Sequence, residues 1–234
     1  MDVFKIYTHT NYLKKSIASI VYYEGLMQDH PIERLLPDGS LNLLIELRDH
    51  PQFTYQDNDL SKKRKYVRSW FSGMQTHYIT ISSSHRSAMM VVQFKPNGAY
   101  PILKMPVSEF TNKVLDADLI FGEEIDHLRE QILWEAHPDK RIKIMESWLC
   151  ATYAHGETIP EAVVQFAVEE TLLNPTNANM QAIAQRTGYS QQHFITLFKK
   201  YVGITPKQYQ RIVRFNQVLQ EIESHQTVDW GKLS

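Results

Sequence analysis

The stretch NMQAIAQRTGYSQQHFITLFKKYVGITP, Asn179 to Pro206, decides how this chain is read. Its spacing predicts two helices joined by a tight turn. Ala184 is a small residue where a second helix can cross the first. Gly188 follows four residues later, where the turn needs a positive φ. Phe194 and Leu197 come six and nine residues after that glycine, at the spacing of an inner helix face. Ile183, Tyr189 and Phe198 complete the inner set. Asn179 is placed to cap the first helix and Ser190 the second. Gly203 sits where a left-handed C-terminal cap would end the second helix. Thr205, Pro206 and Gln208 form a capping box that opens a third.

With that inner face turned away, the second helix presents Gln191, Gln192, Ile195, Thr196 and Lys199. Two amides and a hydroxyl can read base edges, a β-branched aliphatic can meet a thymine methyl, and a lysine can reach phosphate. A helical hairpin with a solvated face would share the turn. The complete set of caps, small residue, turn and outer face favours a helix-turn-helix that presents one helix to the major groove.

Charge points the same way. The net charge of −1 hides a division. From Pro175 to Gln220 there are six basic residues (Arg186, Lys199, Lys200, Lys207, Arg211, Arg214) and no acid, so the remainder sums to −7. A basic module on an acidic body is expected of a sensor joined to a DNA-binding unit. At 234 residues the chain has room for two domains, and 43% hydrophobic residues exclude a disordered chain. The single cysteine, Cys150, lies in an apolar helical pattern and reads as core packing. The N-terminus lacks a signal peptide's apolar run, and no stretch has the apolar length of a membrane span, so a cytoplasmic protein without membrane contact is expected.

Upstream, the periodicity is that of strands. Ile17 to Tyr23 reads as a strand. Pro37-Asp38-Gly39 is a turn, after which Leu41, Leu43, Ile45 and Leu47 alternate with Asn42, Leu44 and Glu46 as in a half-buried strand. Gln56 to Arg68, ending in KKRKYVR, reads as a solvated loop. Trp70 to Ile81 and Ala88 to Phe94 read as further strands, the second with Met90, Val92 and Phe94 on one face. Lys95-Pro96-Asn97-Gly98 is another turn. This rhythm predicts a β-sandwich or barrel of about 110 residues. From Gly122 the period becomes helical. Ile125, Leu128 and Ile132 mark one helix, His137-Pro138-Asp139 stops it, and Ile142, Met145 and Leu149 mark a second. The pair can pack on the barrel or make a dimer contact. His155-Gly156-Glu157 is the linker candidate. A helix from Pro160 to Asn174 would cover the back of the helix-turn-helix with Val163, Val164, Phe166, Ala167 and Leu172. After the motif, Tyr209, Ile212, Phe215, Leu219 and Ile222 mark a helix of about 18 residues, about 27 Å long. That approaches the ~34 Å between successive major grooves on one side of DNA. Asp229 could cap one more helix.

The segment MQAIAQRTGYSQQHFITLFKKYVGITPKQYQRIVRFNQVLQ resembles the first helix-turn-helix of AraC/XylS-type transcription regulators, through its GYS turn, LFKK helix end, GITP break and linker helix. Gln217 departs from the alanine usual there. LLPDGSLNLLIEL, FSGMQTHYITI and VQFKPNGAYPILKMPVSEFTN resemble the cupin-like sensor of one branch of that family. The resemblance implies an α+β protein: a cupin-like β-barrel sensor over 1–121, a helical segment and linker over 122–156 with a dimer contact, and an all-α DNA-binding domain over 157–234. It matches Gln192, Ile195 and Thr196, beside Gln191, to base reading. Lys199, Lys200, Lys207 and Arg186 match backbone contact. The expected partners are double-stranded DNA, a small-molecule effector, a second copy of the chain and, for an activator, the transcription machinery. The family's second helix-turn-helix should begin near Trp230, so only the first reader and linker helix are expected up to Ser234, by truncation or by loss. One reader alone should bind weakly unless dimerisation supplies another.

No enzyme chemistry is expected. There is no His-x-His pair, no His-Glu-x-x-His, no phosphate-binding loop and no nucleophile elbow. Glu123 and His127 share a helical face but read as solvated, so no metal, catalytic residue or cofactor is assigned. The effector site is not located. Trp70, Phe71, Met74, Tyr78 and Tyr100 could line it, although each reads first as core. Two alternatives remain: a cupin-like enzyme with an appended helical domain, and a degenerate regulator acting through protein–protein interaction.

Overall fold

The computed structural model describes residues 3–8, 12–26, 30–56, 59–83, 87–153 and 158–224. A sheet-rich N-terminal region is followed by a helical C-terminal one. Among the described residues ten strands run in chain order: β1 Val3–Tyr7, β2 Ile17–Leu26, β3 Ile32–Leu35, β4 Leu41–Glu46, β5 Gln52–Gln56, β6 Asp59–Tyr66, β7 Ser69–Ser72, β8 Ile79–Ser82, β9 Ser87–Phe94 and β10 Val114–Asp116. They pair antiparallel into two sheets, ordered β1-β2-β9-β4-β7-β10 and β3-β8-β5-β6. The helices are α1 Tyr100–Leu103, α2 Asp118–Phe121, α3 Glu124–Trp134, α4 Pro138–Thr152, α5 Ile159–Leu173, α6 Met180–Arg186, α7 Gln191–Val202 and α8 Pro206–Ser224.

Alternation along β4 explains the layering. Leu41, Leu43 and Ile45 are fully buried on one face of the six-stranded sheet, with Met90, Val92 and Phe94 of the neighbouring β9. That face joins Ile125, Leu128 and Ile132 of α3 and Ile142, Met145 and Leu149 of α4 in one core. The opposite face looks toward the second sheet, where Tyr66, Trp70 and Met89 form a much smaller cluster.

Several sequence readings need correction. Gln56 to Arg68 is not a loop: the lysines and arginine at 62–65 lie in β6, which is exposed from Asp59 to Lys65. β6 is the edge of the four-stranded sheet, where charged side chains discourage pairing with another chain. Trp70 to Ile81 is two strands in different sheets, β7 and β8, separated at 73–78. Glu46, expected on a solvated face, is fully buried because a second sheet covers that side. Leu172 is half exposed instead of covering the helix-turn-helix, and Val164, Ala167 and Val168 do that work from α5. The linker candidate at 155–157 and the further helix from Asp229 lie outside the described residues.

The main core does not stop at the sheet region. Ile183, Ala184, Phe194, Phe198, Tyr209 and Ile212 of the helical module belong to the same buried cluster as the sheet. Polar contacts cross the junction as well. The Thr111 hydroxyl donates to the Gly203 carbonyl at 2.6 Å, the Asn97 amide to Gln165 Oε1 at 2.6 Å, and the Asn216 amide to the Pro37 carbonyl at 3.0 Å. Tyr100 packs on Tyr201 with ring centroids 4.3 Å apart.

Candidate nucleic-acid interface and inter-sheet cavity

The caps expected around the helical pair are formed. Asn179 Oδ1 accepts from the amides of Gln181 and Ala182, at 3.0 and 3.1 Å. Ser190 Oγ accepts from the His193 amide at 3.3 Å. Thr205 and Gln208 exchange bonds, the Thr205 amide to Gln208 Oε1 at 3.0 Å and the Gln208 amide to Thr205 Oγ1 at 3.2 Å. Each answers amides that a helix start leaves without intrahelical partners. Two glycines do what the spacing asked of them. Gly188 has φ +76° in the turn, and Gly203 ends α7 at φ +97° with its amide donating to the Lys199 carbonyl at 2.9 Å.

These constraints aim α7. Phe194, Leu197, Phe198, Tyr201 and Val202 are buried along one side. Gln191, Gln192, Thr196 and Lys199 are exposed on the other, and Ile195 is half-buried between them. Thr196 donates its hydroxyl to the Gln192 carbonyl at 3.1 Å, which leaves its oxygen lone pairs outward. A groove between α6, α7 and α8 gathers Gln181, Gln191, Ile195, Lys207 and Arg214. Lys207 therefore stands beside the residues expected to read bases. Arg214, counted among the basic residues but given no role by the sequence, joins it one heptad further along α8. That spacing of seven was the available signal.

Two of the expected backbone contacts stand apart from this face. The Lys200 ammonium lies 5.0 Å from the Tyr100 ring centroid, and its hydrogen bond to Tyr100 raises its pKa. Arg186 lies over the Phe166 ring at 5.0 Å and 4.0 Å from Glu170, facing α5.

The second candidate site is the space between the sheets, a cavity of about 320 Å³. Leu44, Trp70 and Met89 of the six-stranded sheet line one side, and Phe53, Ile79 and Ile81 the other. Of the residues that the sequence offered for an effector, only Trp70 lines it. Phe71 and Met74 are fully buried in the main core, Tyr100 stacks on Tyr201, and Tyr78 borders a surface groove against α8. The signal that could have found the cavity is strand parity: Asn42 and Leu44 alternate with the core leucines and must face the other way. Among the described residues, no group of three or more His, Cys, Asp or Glu side chains is placed to hold a metal ion, and Glu123 and His127 share only a backbone bond, at 3.1 Å. No helix among them is long and apolar enough to cross a membrane.

A fold that joins a hollow sheet domain to an exposed, capped recognition helix defines the class of helix-turn-helix DNA-binding proteins. Residues 173–211 match the family model described as bacterial regulatory helix-turn-helix proteins, AraC family, and this segment is an AraC-family helix-turn-helix. Residues 7–116, the sheet region, match a model described as a domain of unknown function, DUF6597. No curated protein matches the chain. Among solved structures, an apo form of ToxT of Vibrio cholerae carrying a lysine-to-alanine substitution is 9% identical, with 83% of this chain and 97% of that one covered and a TM-score of 0.29. Wild-type ToxT of Vibrio cholerae bound to unsaturated fatty acid is 12% identical, covering 88% and 98%, with a TM-score of 0.29. Phpd with cadmium and hydroethylphosphonate is 7% identical, covering 88% and 47%, with a TM-score of 0.28. At such TM-scores these likenesses carry no argument for this chain.

Proposed function

We propose that this protein is a sequence-specific transcription regulator that reads DNA with α7 and answers to a small molecule held by its N-terminal sheets. The observation that carries the reading is the outer face of α7, exposed and polar within the segment that matches the AraC-type helix-turn-helix. Gln191, Gln192, Ile195 and Thr196 read base edges, and Lys199 and Lys207 hold phosphates, with Arg214 beside them. Lys200 and Arg186 reach the backbone only if they leave Tyr100 and Glu170. The reading divides the chain into a sensor over 1–121, a helical segment over 122–156 and a DNA-binding unit over 157–234. It places the protein in the cytoplasm as a homodimer without a catalytic role, touching the transcription machinery if it activates.

The test is selection of bound duplexes from a random pool at low salt, followed by affinity measurement. A selected consensus supports the reading, and no enrichment over a scrambled pool ends it. Gln192→Ala should cost about 1–3 kcal/mol on the preferred sequence and relax preference at one position. Lys207→Ala should weaken all sequences alike and lower the salt slope by about 1.

A further inference from the structure

Many polar groups in the wall of the inter-sheet cavity satisfy one another. Tyr66 donates its phenol to the Val114 carbonyl at 3.0 Å, and Tyr23 donates to Met89 Sδ at 3.0 Å. From the facing sheet, Ser82 Oγ donates to Gln52 Oε1 at 3.1 Å and accepts the Phe53 amide at 2.8 Å. All of these residues line the cavity. Their bonds leave rings and aliphatic surface to meet a ligand. Tyr66 and Trp70 lie 6.1 Å apart between ring centroids in that wall.

Charge is closed in the same way. Among the described residues Glu33 is the only charged side chain in the wall, and it already has a partner. A carboxylate or an ammonium brought here would lose its water and find no waiting counter-charge, which is costly.

One polar group is only half used. Asn42 lines the cavity from β4 and is half-buried. Its Nδ2 donates to Ser40 Oγ at 3.1 Å. The Ser40 hydroxyl itself donates to Asp38 Oδ2 at 2.6 Å, so Ser40 can only accept from Asn42, and this fixes which end of the amide is nitrogen. The carbonyl end, Oδ1, accepts no hydrogen bond among the described residues. Ser72 stands directly across from Asn42 in the register of β4 with β7 and lines the cavity beside it. Its hydroxyl accepts from Gln75 at 3.5 Å and keeps its own proton to donate.

We infer that the inter-sheet cavity takes an uncharged, mainly apolar molecule with a hydroxyl group, which donates to Asn42 Oδ1 and accepts from Ser72. This deepens the reading of the N-terminal sheets as a ligand-binding sensor and rests on it. A hydroxyl answers an acceptor and a donor at once, whereas an ether only accepts. The volume, about 320 Å³, lies at the small end of the range of about 300–1,000 Å³ that takes small molecules. The aromatic wall favours a flat body that can stack or meet a ring edge.

The experiment titrates the full chain calorimetrically with 2-naphthol and 4-propylphenol. The naphthalene skeleton is then repeated as 2-methoxynaphthalene, 2-naphthoate and 2-naphthylmethylamine. At least one of the two hydroxyl compounds should saturate. The ether should bind about threefold to tenfold more weakly than 2-naphthol, and the two charged compounds at least about tenfold more weakly. Asn42→Leu should bring 2-naphthol down to the affinity of its ether, a ratio that a merely structural role would leave alone. Leu44→Phe, which fills the cavity from the same strand, should weaken both by about tenfold or more and keeps the test open if the Asn42 variant does not fold. The inference is overturned if naphthoate or the amine binds as tightly as naphthol, if Asn42→Leu leaves the naphthol-to-ether ratio unchanged, if Leu44→Phe leaves naphthol affinity unchanged, or if neither hydroxyl compound saturates. Duplex binding is measured on the same preparation. Retained duplex binding alongside any of those results removes the uncharged ligand and leaves the regulator standing, whereas naphthol binding without duplex binding does the reverse.

Discussion

Strand β4 sends Leu41, Leu43 and Ile45 to one side of the six-stranded sheet and Asn42, Leu44 and Glu46 to the other, and the two sides meet different neighbours. On the first, the leucines pack against α3, α4 and, through a continuous core, the helical module. On the second, the facing sheet stands off and leaves the cavity, with Tyr66, Trp70 and Met89 buried as a small apolar cluster. One strand thus fastens the DNA-reading unit with one face and leaves room for a ligand with the other. Filled space transmits a displacement because packed side chains resist compression, whereas hollow space is where a ligand can change the packing. In the proposed reading, the two tasks of a regulator therefore lie a single sheet apart.

This division can be broken by mutation. Leu43→Ala removes a fully buried side chain from the filled face and should cost about 2–5 kcal/mol in urea unfolding. Leu44→Ala, one residue on and half-buried against the cavity, should cost about 1 kcal/mol. Equal losses would mean that the hollow face is packed in solution. Gly203→Ala tests the fastening itself. An added Cβ would sit 3.2 Å from Thr111 Oγ1 at a backbone φ of +97°, so a loss of about 1 kcal/mol or more is expected. A neutral result would show that the junction yields.

The smallest effect concerns pH. Burial holds the Glu46 carboxyl above its ordinary range, against the amides of Arg48 and Ala88 and the charges of His50 and Arg129, all of which lower it. An acid whose folded pKa is raised contributes stability that is fully present below its unfolded pKa. That contribution is lost as pH rises through the folded value. The wild-type protein should therefore lose stability relative to Glu46→Gln as pH is raised from about 4.5 toward neutrality. A difference between the two proteins that stays flat over that range would place Glu46 in contact with water.

Much of the helical module was legible because its determinants are local. Asn179, Ser190, Gly203 and the Thr205–Gln208 pair act within one turn of their own helix ends, and Phe194, Leu197 and Phe198 declare a face by spacing alone. The strand alternation from Leu41 to Ile45 was legible for the same reason. The exposed basic run of β6 was not. Its strand is held by backbone pairing to β5 and carries no apolar alternation to reveal it. The boundary between β7 and β8 also escaped, because the gap at 73–78 carries no proline and a single glycine to mark it.

Residue order alone set the two helix periods, the caps between them, the side of α7 that faces outward and the basic charge of that module. All of these depend on residues within a few positions of one another. Folding in three dimensions was needed to turn Lys200 to Tyr100 and Arg186 to α5, and to bury Glu46 in place of solvating it. It was needed also to set a cavity against the second face of β4. Each of these depends on which distant segment arrives opposite, and strand parity says only that a face exists, not what covers it.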